Sequence, residues 1–235
     1  MDFSVRTFAA AMTAAMLAGH AGAQSASQGI ERVLAGISWL GQSSVRIEAD
    51  GKVIYVDPLH YRPGDKADLI LITHTHQDHY VRANVEALTK TGTVIVAPSD
   101  LGLGNKILKP GQSATVAGFA VEAVPAYNAV KTQFHPKSAG YDGYIITVDG
   151  VRVYHAGDTE RIPEMKNFRA DIAMLPLGQT YTFNSVDEAV QAALDTGAKI
   201  AIPIHWGTGE GKPADAKLFA DELGKRGVSV RILEK

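Results

Sequence analysis

The stretch LILITHTHQDHY, Leu69 to Tyr80, holds three of the chain's eight histidines directly after an apolar run. Leu69 to Ile72 are apolar without interruption, the pattern of a short strand buried on both faces. Residues two apart in an extended chain point the same way, so His74 and His76 at the strand's end can grip one ion from one side. The chain must then turn, which aims Asp78 and His79 at a neighbouring position. Imidazole and carboxylate together suit zinc, with manganese or iron as alternatives. The plain alternative is a set of solvated or hydrogen-bonded histidines. A strand end, where sites are commonly built, favours a metal centre.

The rest of the composition narrows the field. The 235 residues are 46% hydrophobic and carry a formal charge of −2, which describes a soluble globular chain with enough apolar surface for one core. That charge gives no reason to expect nucleic acid or an anionic membrane as partner, so a small-molecule substrate is expected. Cysteine is absent, which removes disulfides, thiolate ligands and a cysteine nucleophile. The start of the chain reads as a targeting segment. MDFSVR carries an arginine, TFAAAMTAAMLAG is apolar, and Ala21-Gly22-Ala23 supplies a small-x-small end. A secretory signal peptide is expected over 1–23, with a mature start near Gln24 and a periplasmic or secreted product. The apolar run is shorter than the roughly 20 residues of a membrane span, so no stable insertion is expected after cleavage. An amphipathic N-terminal anchor is the alternative reading. Without a cysteine, lipoprotein anchoring is excluded.

The remaining chain, about 30–235, reads as one domain. SVRIEA alternates apolar and polar residues, Asp50-Gly51 marks a hairpin turn, and KVIYVD resumes the strand before Pro58. VRANVEALTKTG, residues 81–92, has helical spacing with Gly92 as a stop, and PSDLGLGNKIL, residues 98–108, reads as a short helix capped by Ser99 or Asp100. Alternating segments fill the middle, with VDG at 148–150 as a second hairpin turn. The last third alternates strands with helices: SVDEAVQAALDTG opens on Ser185 with Glu188 at capping-box spacing, and a second helix opens at Pro213.

THTHQDH resembles the first metal motif of the metallo-β-lactamase superfamily. GISWLGQSSVRIEADGKVIYVDP is similar to the opening strands of its broad metal-dependent hydrolase branch. VYHAGDT and IPIHWGT resemble its later aspartate and histidine motifs. The resemblance spans about residues 36 to 210 and implies an α/β fold, the four-layer αββα sandwich of that superfamily. It implies His74 and His76 as ligands of one metal and Asp78, His79 and His205 as ligands of a second. Asp158 would bridge the two, and Asp78 would also orient the reactive water. One or two zinc ions are expected, with a bridging water acidified toward roughly neutral pH as the attacking hydroxide.

One position departs from the family pattern. Where a third histidine for the first metal is often found, the chain reads VPAYNAVKTQFHPKSAG, with Asn128 at that place and His135 seven residues on. A neutral amide is a poor zinc donor. Either His135 enters the site, as a ligand or a catalytic contact, or Asn128 orients substrate or water; a histidine on a loop stiffened by Pro136 favours the first. Asp57 is expected to support the histidine loop or simply to turn the chain. Tyr127, Tyr181 and Trp206 are candidates for lining a pocket, LGLG and GTGEG for plain turns. The expected function is an exported metal-dependent hydrolase acting on an ester, lactone, amide or phosphodiester. The alternatives are a β-lactam-hydrolysing metallo-β-lactamase and a non-catalytic zinc-binding protein.

Overall fold

The computed structural model describes residues 27–235. The signal peptide expected over 1–23 lies outside them. A first helix, α1, occupies 27–35, and three more follow: α2 (Arg82–Leu88), α3 (Val186–Thr196) and α4 (Pro213–Gly224). Thirteen strands form two sheets.

The first sheet runs in sequence order: β1 (Ile37–Gly41), β2 (Ser44–Ala49), β3 (Lys52–Val56), β4 (Leu69–Leu71), β5 (Val94–Ala97) and β6 (Lys106–Ile107). The second runs β13 (Ser229–Val230), β12 (Ile200–Ile204), β11 (Ile172–Pro176), β10 (Val151–His155), β9 (Asp142–Val148), β8 (Phe119–Pro125), β7 (Ser113–Val116). Each sheet begins as an antiparallel meander and ends in parallel strands: β3 to β6 in the first, β10 to β13 in the second.

The hairpins that fix the meanders have the turn chemistry their sequences demand. Asp50-Gly51 joins Ala49 to Lys52 with φ of 53° and 70°, and Asp149-Gly150 joins Val148 to Val151 with φ of 50° and 77°. Two consecutive positive φ angles match the right-handed twist of the strands, and Asp-Gly tolerates them well.

Side-chain alternation explains the layers. In β4 and the residue after it, Leu69 and Leu71 enter the core between the sheets, while Ile70 and Ile72 pack outward with Val85 and Leu88 of α2. In β11, Ile172 and Met174 face the intersheet core, and Ala173 and Leu175 face α3 and α4. Both strands are therefore apolar throughout because each is covered on both faces. The result is the expected four-layer αββα sandwich.

Two local expectations need correction. Residues 98–108 form no helix: Asp100 accepts the Gly102 amide at 2.8 Å, and Asn105 bonds the Leu101 amide and the Ser99 carbonyl. Those side chains capture the backbone groups a helix would use, and Gly102 and Gly104 take φ of 64° and 67°. The helix expected through Gly92 ends at Leu88, with Gly92 (φ 89°) in the following turn. Ser185 does cap α3, accepting the Glu188 amide at 3.1 Å, but the Glu188 carboxylate reaches the Asn184 amide rather than closing the box on Ser185.

Phe219 of α4 is fully buried against the outer face of the second sheet. Phe219→Ala is expected to lower unfolding free energy by about 3–5 kcal/mol, the cost of a large core cavity. Urea denaturation measures this, and a loss under about 1 kcal/mol would contradict the layer assignment.

Candidate metal centre

Strand direction brings the site together. β8, β10, β11 and β12 run the same way in the second sheet, and β3 and β4 are parallel in the first. The segments that follow them carry Asp57 after β3, His74 to His79 after β4, His135 after β8, Asp158 after β10 and His205 after β12. They meet at one edge of the sandwich, where carboxyl ends of parallel strands leave a crevice.

Two sets of donors result. One ring nitrogen each from His74, His76 and His135 lie within 4.8 Å of one another, as do donor atoms of Asp78, His79, Asp158 and His205. Asp158 faces both sets. Its Oδ1 lies 3.2 Å from His79 Nε2 and 3.4 Å from His205 Nε2, and its Oδ2 lies 3.5 Å from His135 Nε2. The structure thus places all six residues implied as metal ligands, and His135, in one cluster. Asn128 stands outside it: its Nδ2 donates to the carbonyls of Tyr181 (2.7 Å) and Lys131 (3.2 Å), and its backbone amide to the His135 carbonyl (2.8 Å). The asparagine shapes the loop that delivers the histidine.

Supporting bonds fix which nitrogen His74 and His79 present. Asp57 is fully buried and accepts the Thr73 amide (2.8 Å), the Thr73 hydroxyl (2.6 Å) and His79 Nδ1 (2.8 Å). The Thr73 hydroxyl, its proton given to Asp57, accepts from His74 Nδ1 at 3.0 Å. Both rings therefore carry their proton on Nδ1 and turn Nε2 inward. Asp57 is thus a support for the histidine loop and not only a turn.

Glu210 stands beside His205, with Oε1 2.9 Å from Nδ1 in an ion-pair contact. Its other oxygen accepts the Thr180 and Tyr181 amides at 3.1 and 3.2 Å. The GTGEG stretch, expected to be a plain turn, therefore carries a buried supporting carboxylate. Only its position five residues after His205 hinted at that. Three non-glycine residues here hold left-handed backbones, Gln42 (φ 51°), Asp57 (46°) and His205 (56°). Such strain persists where surrounding bonds over-determine it. The Gln42 carbonyl shows how, accepting both the His205 amide (2.8 Å) and Trp39 Nε1 (2.6 Å).

The pocket-lining expectations divide. Tyr181 lines the cleft. Tyr127 is buried with its hydroxyl on Glu164, and Trp206 stacks on Trp39 at 5.0 Å. Tyr141, not singled out from sequence, has its ring 5.0, 5.6 and 6.0 Å from those of His74, His76 and His135 and backs the first set.

The electrostatics fit a cation. Nε2 of His74, His79 and His135 and Oδ1 of Asp158 are buried without a hydrogen-bond partner. Buried polar atoms are rarely left so, and converging orphaned donors mark an ion's place. Burial lowers the pKa of His74 and of His135, so both present neutral, donor-ready imidazoles. Burial acts the same way on His79, but the carboxylates of Asp158 and Asp57 outweigh it and raise its pKa to about 10. His205 is likewise raised against burial by Asp158 and Asp78. Both shifts come from the carboxylates that face these rings, and an ion bound there would displace the protons.

Three segments close on one another behind the site. The Asp142 amide donates to the Thr73 carbonyl at 3.1 Å, tying the second sheet to the histidine loop. Gly157 sits between them with φ 61°, and a Cβ there would lie 2.9 Å from the Asp142 carbonyl oxygen and 3.0 Å from Thr73 Cβ. That explains the glycine in VYHAGDT. Burial pushes the Asp142 carboxyl up to about 8 from its ordinary 3.8. The folded chain therefore keeps a proton that the unfolded chain releases, so this group's contribution to stability falls as pH rises from about 4 to about 8. The Tm advantage of Asp142→Asn over the parent chain should accordingly grow between pH 5 and pH 8, measured in one metal state. An advantage independent of pH would contradict the assignment.

Comparison with known proteins agrees with this geometry. The family model described as a β-lactamase superfamily domain matches residues 36–205. A UPF0173 metal-dependent hydrolase of Archaeoglobus fulgidus is 31% identical over 220 residues, covering 84% of this chain and 94% of its own. The crystal structure of a Parabacteroides distasonis protein, assigned as a metal-dependent hydrolase, is 39% identical with a TM-score of 0.76, covering 84% and 93% of the two chains. Igni18, a metallo hydrolase from the archaeon Ignicoccus hospitalis, is 26% identical with a TM-score of 0.71, covering 84% and 94%. An αββα sandwich whose strand ends gather histidines and aspartates, matched over most of its length by these proteins, belongs to the metal-dependent hydrolases of the metallo-β-lactamase superfamily.

Proposed function

We propose that the seven clustered side chains hold two metal ions and that the enzyme hydrolyses an ester, lactone, amide or phosphodiester bond of a small molecule outside the cytoplasm. The observation that carries this reading is the pair of donor sets sharing Asp158, with inward ring nitrogens buried and unpartnered. His74, His76 and His135 would hold the first ion, Asp78, His79 and His205 the second, and Asp158 would serve both. An all-nitrogen-and-oxygen set of this size suits zinc, with manganese or iron as alternatives. When bound, such a pair supplies an acidified water and an electrostatic clamp for the electrophile.

The chain's own residues set the direction of the chemistry. Asp78 has a side chain 46% exposed against 3% for Asp158, and it lines both cavities at the cleft. Burial works against ionisation of Asp78, but the contacts with His205 and His79 win and hold it below the ordinary carboxylate range. A carboxylate so firmly ionised acts as a hydrogen-bond acceptor rather than a proton store. Its Oδ2 is held by Gln42 Nε2 at 3.0 Å, which fixes the group to orient a water or the substrate's attacking partner. The apolar run and Ala-Gly-Ala end before Gln24 support export. N-terminal sequencing of protein from its native host should begin near Gln24, and a retained Met1 on the soluble product would contradict it.

The role of the third histidine is open to direct measurement. His135→Ala is expected to lower metal content as much as His76→Ala does. Asn128→Ala should retain more metal, since its side chain bonds only to loop carbonyls. Metal analysis of the three purified variants decides this. Full metal content in His135→Ala would remove it from the ligand set. Chelation of the parent protein should abolish turnover and lower Tm, because an ion held only by the folded chain stabilises it by linkage.

A further inference from the structure

Tyr181 is a large exposed aromatic, 45% accessible, on a segment whose backbone is firmly held. Its amide donates to Glu210 Oε2 and its carbonyl accepts from Asn128 Nδ2 at 2.7 Å. Three residues earlier in the turn, Gly178 lets Glu210 pack close, since a Cβ there would lie 1.8 Å from Glu210 Oε1. The Thr182 hydroxyl bonds back to the Gly178 carbonyl. Hydrogen bonds on both sides of Tyr181 thus fix the backbone that carries this ring.

The ring stands where the site opens. Tyr181 and Asp78 are the residues shared by two cavities of about 290 and 330 Å³. The larger is lined by His76, Asp78, His135 and Asp158, and by two side chains that are not ligand candidates, Phe134 and Tyr181. Those two meet edge to face, ring centroids 4.9 Å apart at 88°. Any molecule reaching the donors through this cavity passes an aromatic corner. The smaller cavity lies beside the second donor set and is lined by Gln42, Leu59, His60 and Thr208.

We infer that Tyr181 and Phe134 form the recognition wall of the site, and that the substrate carries a flat apolar group, an aryl ring, beside its reacting centre. Tyr181 is the specificity-determining residue. Asn128 then has a purpose beyond loop shape: it anchors the carbonyl of that residue. This inference rests on the two-ion reading, through which the reacting centre is placed next to the wall.

Two phosphonates test it without requiring the natural substrate. Methylphosphonate and benzylphosphonate present the same metal-seeking head and differ only in the arm. Calorimetry on the zinc-loaded protein is expected to show benzylphosphonate binding at least about tenfold more tightly, the scale of one aromatic packing contact. Tyr181→Ala should bring the two affinities to within about twofold, leaving methylphosphonate affinity and metal content unchanged, and Tyr181→Phe should keep the preference. Phe134→Ala provides a second variant should Tyr181→Ala fold poorly. Methylphosphonate binding with no benzyl preference, or a preference that survives both alanine variants, overturns the aromatic wall alone. Binding of neither phosphonate by protein that retains its zinc overturns the two-ion site and the wall with it.

Discussion

One buried carboxylate organises the centre. Asp57 accepts three bonds, and through them it positions the start of the histidine loop, the ring of His79 and, by way of the Thr73 hydroxyl, the ring of His74. A carboxylate with no exposure would be costly to bury without such partners. Here each of the three bonds orients a donor or the loop that carries it. A ring that presents Nε2 because Nδ1 is engaged has its tautomer and angle fixed by that bond. On the opposite sheet Glu210 sets a carboxylate oxygen 2.9 Å from His205 Nδ1.

The sandwich turns that local order into a shared site. His74 to His79 belong to the first sheet, and His135, Asp158 and His205 to the second, so each donor set draws on both. Neither sheet alone holds a complete set. Two backbone bonds join them near the site, the Asp142 amide on the Thr73 carbonyl, with Gly157 permitting the close approach, and the His205 amide on the Gln42 carbonyl. Folding of the intersheet core and assembly of the centre are therefore one event. The strained backbones of Gln42, Asp57 and His205 gather at this seam, where packing from both sides holds them.

Much of this was legible in the sequence because its signals are local. The uninterrupted apolar run of β4 announced a strand covered on both faces, and the histidine spacing after it announced ligand geometry. Asp50-Gly51 and Asp149-Gly150 named their turns. The misreadings arise where local pattern and side-chain chemistry compete. Residues 98–108 have helical-looking apolar spacing, but Asp100 and Asn105 offer the backbone other partners. Glu210 was invisible for a different reason. Its function depends on a turn that folds it back beneath Thr180 and Tyr181, some thirty residues earlier in the chain, and no periodicity encodes that. Tyr141 likewise meets the histidines only through the pairing of the sheets. Asn128 stands where a third histidine is expected; the structure groups His135 with His74 and His76 and commits Asn128 to the loop's bonds.

The claim on which the rest turns is that Asp158 lies between two separate ion positions, one in each donor set. Anomalous diffraction from crystals grown with zinc, recorded on both sides of the zinc absorption edge, tests it directly. The expected result is two anomalous peaks flanking the Asp158 carboxylate, one among His74, His76 and His135 and one among Asp78, His79 and His205. Zinc found elsewhere on the chain, with no peak beside Asp158, would contradict it.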